Sequence, residues 1–228
     1  MNKQTLTGSY ELLTKSYKLY SVNFWDYLIL GILMVVPSAL VQLSPAKYLD
    51  QSLPIASFEL MLLIVYFTLP SISVIAITAL THYAVLGQKE NAVNLLESSF
   101  RKLFAWWWIS ILTGFWIFGG FLLLIIPGII LSIRLSLGIY VLVAENQRGL
   151  SAALRSRNLV KGYTVETLIR LLIPTILAAI FVLLYTALRH LAPITAEAIF
   201  FAFNVLFAPF LLVYVYFIYS SLASISRS

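Results

Sequence analysis

From residue 24 onward the chain is a succession of long apolar runs broken by short polar stretches. A helix that crosses a bilayer needs about 20 mainly apolar residues, each adding about 1.5 Å. Counting on that basis predicts six spans, over about 24–43, 54–86, 103–126, 129–145, 165–188 and 194–224. The third and fourth come from one apolar tract. The Pro127-Gly128 pair is expected to divide it, because Pro lacks an amide donor and Gly readily turns the chain. Segments 54–86 and 194–224 exceed one perpendicular crossing of about 30 Å. Pro70 and Pro209 stand near their middles, so kinked helices are predicted, with a re-entrant hairpin at either proline as the alternative. Pro37 and Pro174 fall inside the first and fifth spans as further candidate kinks.

A second pattern precedes alternate spans. ELLTKSYKLY at 11–20, NLLESSFRKLF at 94–104 and AALRSRNLVKG at 152–162 each mix apolar residues at helical spacing with Lys or Arg. Tyr10, Leu13, Tyr17 and Tyr20 share one face of the first, at 7–22, and Val93, Leu96 and Phe100 share one face of the second. Such segments are predicted to lie in the membrane interface. The resulting fold class is an all-α polytopic membrane bundle, a single membrane domain over 1–228. It has about six transmembrane helices plus amphipathic interfacial helices, arranged as a surface helix followed by a hairpin and used three times at unequal offsets of about 83 and 57 residues.

Composition agrees with burial in lipid: 61% of residues are hydrophobic, 11% are charged, and mean hydropathy is +0.95. The net charge of +6 reports orientation and not nucleic acid, since no basic-aromatic groove pattern runs along any element. With the N-terminus inside, the inner segments collect Lys3, Lys15, Lys18, Lys89, Arg101, Lys102, Arg148, Arg155, Arg157, Lys161 and Arg227, while the outer loops hold Lys47 and Arg189. That bias predicts both termini on the cytoplasmic side of the membrane. Trp25 and Trp106 to Trp108 lie near proposed span ends, as an interfacial aromatic belt requires. The first twenty residues lack the apolar run of a removable signal peptide, so the first span is expected to act as the anchor.

Chemistry is sparse. Zero cysteines exclude thiol catalysis and disulfides. His82 and His190 fall near opposite ends of the spans, no HExxH occurs, and no metal or cofactor is expected. Walker, dinucleotide and GxSxG motifs are absent, and no catalytic residue is assigned. The least expected residue is Arg134, about a third of the way along the fourth span from its outer end, where a charge costs roughly 2.5–3.5 kcal/mol. Its anticipated partners are a carboxylate or carbonyls freed near Pro70, Pro174 or Pro209. It serves either as a staple between helices or as a site for an anionic headgroup or substrate. Glu145 ends the same span, placed to clasp the basic helix that follows. Arg170 is expected to snorkel to the inner surface, and Asn204 to bond between helices.

The stretch at 122–162, LLLIIPGIILSIRLSLGIYVLVAENQRGLSAALRSRNLVKG, resembles the membrane domain found beside some prokaryotic glycerophosphodiester phosphodiesterases. The matching elements are Pro127-Gly128, Arg134, Glu145, Ala153-Leu154, Ser156 and Lys161-Gly162. The resemblance implies a six-helix bacterial or archaeal module without the catalytic barrel, and it carries no activity.

Two functions follow as expectations. The first is a non-enzymatic membrane protein that organises lipid or envelope components through Lys15, Lys18, Arg101, Lys102, Arg148, Arg155, Arg157 and Lys161. Its partners would be anionic lipids, a cytoplasmic protein, or further copies of itself. The second is a transporter or its membrane subunit, with a path lined by Arg134 and Asn204 and the 146–162 loop coupling to a separate ATPase.

Overall fold

The computed structural model describes residues 6–42 and 56–226. The predicted charges Lys3, Lys47 and Arg227 lie outside the described residues. Those described form helices and no strand: α1 (Ser9–Val22), α2 (Phe24–Gln42), α3 (Ala56–Val85), α4 (Ala92–Leu123), α5 (Ile125–Leu135), α6 (Gly138–Ala144), α7 (Leu150–Val160), α8 (Thr164–Leu191) and α9 (Pro193–Ile225). Six stretches are long and apolar enough to cross a membrane: α2, α3, α4, α5 with α6, α8 and α9. The chain is a multi-pass membrane protein.

The prolines inside the spans stay within helices, as the first expectation had them, whereas the turn between the third and fourth spans differs from expectation. Pro37, Pro70, Pro174 and Pro209 sit inside continuous helices, so α3 and α9 run unbroken for 30 and 33 residues and neither is a re-entrant hairpin. The hairpin between the third and fourth spans does not turn at Pro127-Gly128. Extended backbone at Leu124 (φ −164°, ψ 153°) makes the turn, and Pro127 occupies the first turn of α5, where a helix leaves its amides unbonded anyway. Gly128 instead lets the two helices touch, for a Cβ there would lie 2.5 Å from the Phe121 ring.

The fourth span is also two pieces. α5 stops at Leu135 and α6 resumes at Gly138, and every residue from Tyr140 to Val143 is buried. The second surface segment, by contrast, is not a separate helix. Nothing in NLLESSFRKLF breaks a helix, so it forms the start of α4, capped by the Asn91 side chain on Val93 N.

The faces named from the sequence are split in the structure: Tyr20 turns inward and Leu13 and Leu96 pack partly against the core, while the aromatic and valine positions nearer the helix starts do not. Tyr10, Tyr17, Val93 and Phe100 point outward. The buried face of α1 is Leu12, Ser16 and Tyr20; of α4, Leu95 and Ser99; of α7, Ala152, Ser156 and Val160. In each, a serine follows four residues after the first small or aliphatic position, and the offsets of 83 and 57 residues recur between Leu12, Leu95 and Ala152. A membrane interface accepts aromatic residues on the outside, while serines on the inside allow close approach between helices. Ser16 and Ser99 turn their hydroxyls back to Leu12 O and Leu95 O, at 2.7 and 2.6 Å.

Packing is concentrated at one end. The two buried clusters draw on Ile75 to Leu80 of α3, all of α6, the inner face of α7, and Val213 to Ala223 of α9. α2 meets α9 backbone to backbone, since a Cβ on Gly31 would lie 2.3 Å from Val205 O. Tyr27 and Thr81 share a buried hydrogen bond of 3.0 Å, and Ser73 donates to Leu30 O, so α2 and α3 are also tied in their interior. Away from this end the apolar side chains are exposed, among them Phe115, Phe118, Leu122, Ile180 and Leu183.

Candidate functional site at the basic end

The closely packed end gathers α1, the turn between α3 and α4, α7 and the end of α9. Its central device grows from the loop after α6. Asn146 (φ 52°) and Gly149 (φ 58°) adopt left-handed backbone that these two residue types tolerate, and the chain reverses within four residues. α7 then lays Ala152, Ala153, Ser156, Leu159 and Val160 against α5 and α6. The Ser156 hydroxyl donates to Arg134 O at 2.8 Å and accepts from Leu137 N at 3.2 Å, so it fills the gap in the backbone ladder where α5 becomes α6.

Beside this plug lies an ionic clasp. Arg155 Nε donates to Glu145 Oε2 at 2.9 Å, and its Nη2 donates to Ser226 Oγ at 3.2 Å. Tyr219 donates to Glu145 Oε1 at 3.0 Å, and Gln147 to Oε2 at 3.3 Å. With its side chain only 11% exposed, Glu145 joins the ends of α6, α7 and α9. The expectation that Glu145 clasps the following basic helix agrees with this geometry. Arg155, however, is occupied by the clasp and does not belong to the free basic surface.

Arg134 sits in the last turn of α5, half-buried, and its Nε donates to Thr164 Oγ1 at 3.3 Å, at the start of α8. That partner is a neutral hydroxyl and not a carboxylate or a proline-freed carbonyl. The break after Leu135 places Arg134 at a helix end, where the start of α8 supplies a hydroxyl acceptor for its guanidinium and Ser156 of α7 donates to its backbone carbonyl. Arg170 does not snorkel freely. Its guanidinium donates to Thr7 O at 2.7 and 2.9 Å, to Leu6 O at 3.0 Å and to Glu166 O at 2.8 Å, pinning the segment before α1 to α8. Sequence reasoning missed that role because its acceptors are backbone carbonyls more than 160 residues away.

Among the described residues, Lys18, Lys89, Arg148, Arg157 and Lys161 make no ion pair, and all five are exposed. Lys15 and Arg101 pair with Glu11 and Glu97 one helical turn away, at 2.7 and 2.6 Å, in settings too exposed to fix them strongly. Lys102 is half-buried and reaches Val143 O at 3.5 Å. The opposite end carries Arg189. Lys15, Lys18 and Lys89 also rim an open cleft of about 660 Å³ between α1, α2 and the α3–α4 turn, floored by Leu19, Val22 and Phe217, with Asp26 and Glu90 on its wall.

Asn204 lies elsewhere. It bonds its own helix through Nδ2 to Phe200 O at 2.9 Å and lines a pocket with residues of α2, α3 and α4, so the structure does not bring it together with Arg134. His82 bonds Tyr216 at 2.7 Å within the core. No group of three or more His, Asp or Glu with metal-binding geometry occurs among the described residues. Comparison of the chain with protein-family models, with curated proteins and with solved structures finds no match.

Proposed function

We propose that this protein resides in a prokaryotic plasma membrane with both termini in the cytoplasm, and that its basic end holds anionic lipid headgroups and so organises the surrounding leaflet. The observation that carries this reading is the set of exposed cations that make no ion pair among the described residues, Lys18, Lys89, Arg148, Arg157 and Lys161, facing a far end with one described arginine. Cationic residues near an anionic leaflet each contribute about 1 kcal/mol. α7 carries Arg157 and is flanked by Arg148 and Lys161, and its other face is locked by Ser156, Leu159 and Val160, so these three cations lie close along one short segment on the outside. The stretch at 122–162, which resembles the phosphodiesterase-associated membrane module, coincides with α5 to α7 and hence with this plug and clasp. We read it as the framework that presents the basic face.

The test uses the full chain with Arg148, Arg157 and Lys161 each changed to Gln, leaving Arg155 in place. Native mass spectrometry after equilibration with mixed phosphatidylglycerol and phosphatidylcholine should show the wild type retaining the anionic lipid preferentially. In the triple variant that preference should fall by about tenfold or more. Equal retention of both lipids by the wild type would overturn the reading. The transport alternative needs one path lined by Arg134 and Asn204, and their separation in the structure favours the lipid reading over it.

A further inference from the structure

Near the middle of the bundle, α2, α3, α4 and α9 enclose a pocket of about 340 Å³ lined by Ser38, Tyr66, Pro70, Ser71, Trp106 and Asn204 among others. A second, largely apolar groove of about 600 Å³ opens between α3 and α4, over Leu63, Ile64, Trp107 and Ile111. The two share Phe67, Ser71 and Trp106 as a common wall, so the groove adjoins the pocket with only these side chains between them. Leu63, Ile64, Phe67 and Ile111 are each more than half exposed at the groove's mouth, where acyl chains surround a spanning helix. Pro70 lies 14 residues from the start of α3, about 21 Å along the axis, which sets the pocket deep within the span.

The hydrogen-bonding inventory of the pocket is incomplete. Ser38 Oγ donates to Val35 O, Asn204 Nδ2 to Phe200 O, and Trp107 Nε1 to Ser71 Oγ. Trp106 Nε1, a donor, and Asn204 Oδ1, an acceptor, have no partner among the described residues. Neither atom is sealed away, since among the described residues the buried polar atom without a partner is Thr167 Oγ1. Away from water an unmade hydrogen bond costs about 1–3 kcal/mol, so a donor and an acceptor at this depth call for a ligand carrying both. No charged residue lines either cavity, which disfavours a carboxylate or phosphate at the polar end.

We infer that these cavities form a binding site for an uncharged membrane lipid bearing a hydroxyl or ester group, entering sideways between α3 and α4. The chain lies in the groove over Leu63, Ile64 and Ile111, and the neutral polar group reaches Asn204 and Trp106. Each cavity falls within the size range of small-molecule sites, about 300–1,000 Å³. The site is separate from the basic end and stands whether or not anionic lipid binds there.

The probe is a monoacylglycerol with a photoactivatable diazirine in its chain, added to the full-length protein in nanodiscs, with crosslinked peptides mapped by mass spectrometry. Labelling should concentrate on residues 60–71 and 104–111, and unlabelled monoacylglycerol should compete more strongly than the corresponding fatty acid. Asn204→Leu should lower that labelling about tenfold, while labelling at Ile176, Ile180 and Leu183 on the exposed face of α8 stays constant. Ile111→Trp, at an exposed position of the mouth, should have the same effect without touching the polar groups, and it serves if Asn204→Leu fails to fold. Labelling at the groove no greater than on α8, or equal competition by the fatty acid, would overturn the inference, as would labelling indifferent to both substitutions.

Discussion

Replacing Glu145 by Gln isolates the ionic clasp. The amide can still accept from Tyr219, but it leaves the Arg155 guanidinium beside a neutral group. Removing one partner of a fully buried pair costs about 3–5 kcal/mol. Arg155 keeps 28% of its side chain exposed, so water relieves part of that penalty and a loss of about 2 kcal/mol is expected. For a chain of this size about 2–4 °C accompanies each kcal/mol, which predicts a fall of about 4–8 °C in the midpoint of thermal unfolding. Arg155→Gln should lose a similar amount, since it strands Glu145 and releases Ser226. The double variant should lose less than the two singles together, by about 1 kcal/mol, because the second substitution removes a charge the first had already stranded. The assay is detergent-solubilised thermal unfolding followed by fluorescence-detected size exclusion, on all four proteins at one ionic strength. Strict additivity, or a single variant as stable as the wild type, would refute the view that Glu145 and Arg155 act as one unit.

Ser156→Ala should be costly for a small change, because it leaves Arg134 O and Leu137 N without their bridging partner. About 2–4 kcal/mol is expected, with faster amide exchange at residues 134–138 measured by hydrogen–deuterium exchange. Gly31→Ala drives a methyl group into the Val205 carbonyl and should destabilise by about 2–3 kcal/mol, since both clashing groups belong to packed helices; a thermal midpoint equal to that of the wild type would show that α2 and α9 do not approach so closely.

The spans illustrate what a sequence carries locally. Continuous hydrophobicity over 20 residues or more has few outcomes in water or in lipid, so the number of spans and the all-α class follow from counting. The basic bias toward one end follows in the same way. Turn chemistry was less faithful: Pro127-Gly128 has the composition of a breaker, yet a proline in the first turn of a helix costs nothing, and the break fell at Leu124 instead.

Of the candidate site, Glu145 was legible because it ends an apolar run next to a basic helix. The bond from Arg170 to Thr7, the hydroxyl of Ser156 between α5 and α6, and the separation of Arg134 from Asn204 were not. Each depends on which elements become neighbours, and no local pattern encodes a partner tens or hundreds of residues away. The faces of the amphipathic segments show the same division. Periodicity marked the aromatic rows of α1 and α4, but in a membrane protein apolar residues are welcome on the outside. Which face turns inward was therefore settled by close packing around Ser16, Ser99 and Ser156, a property of the assembled bundle.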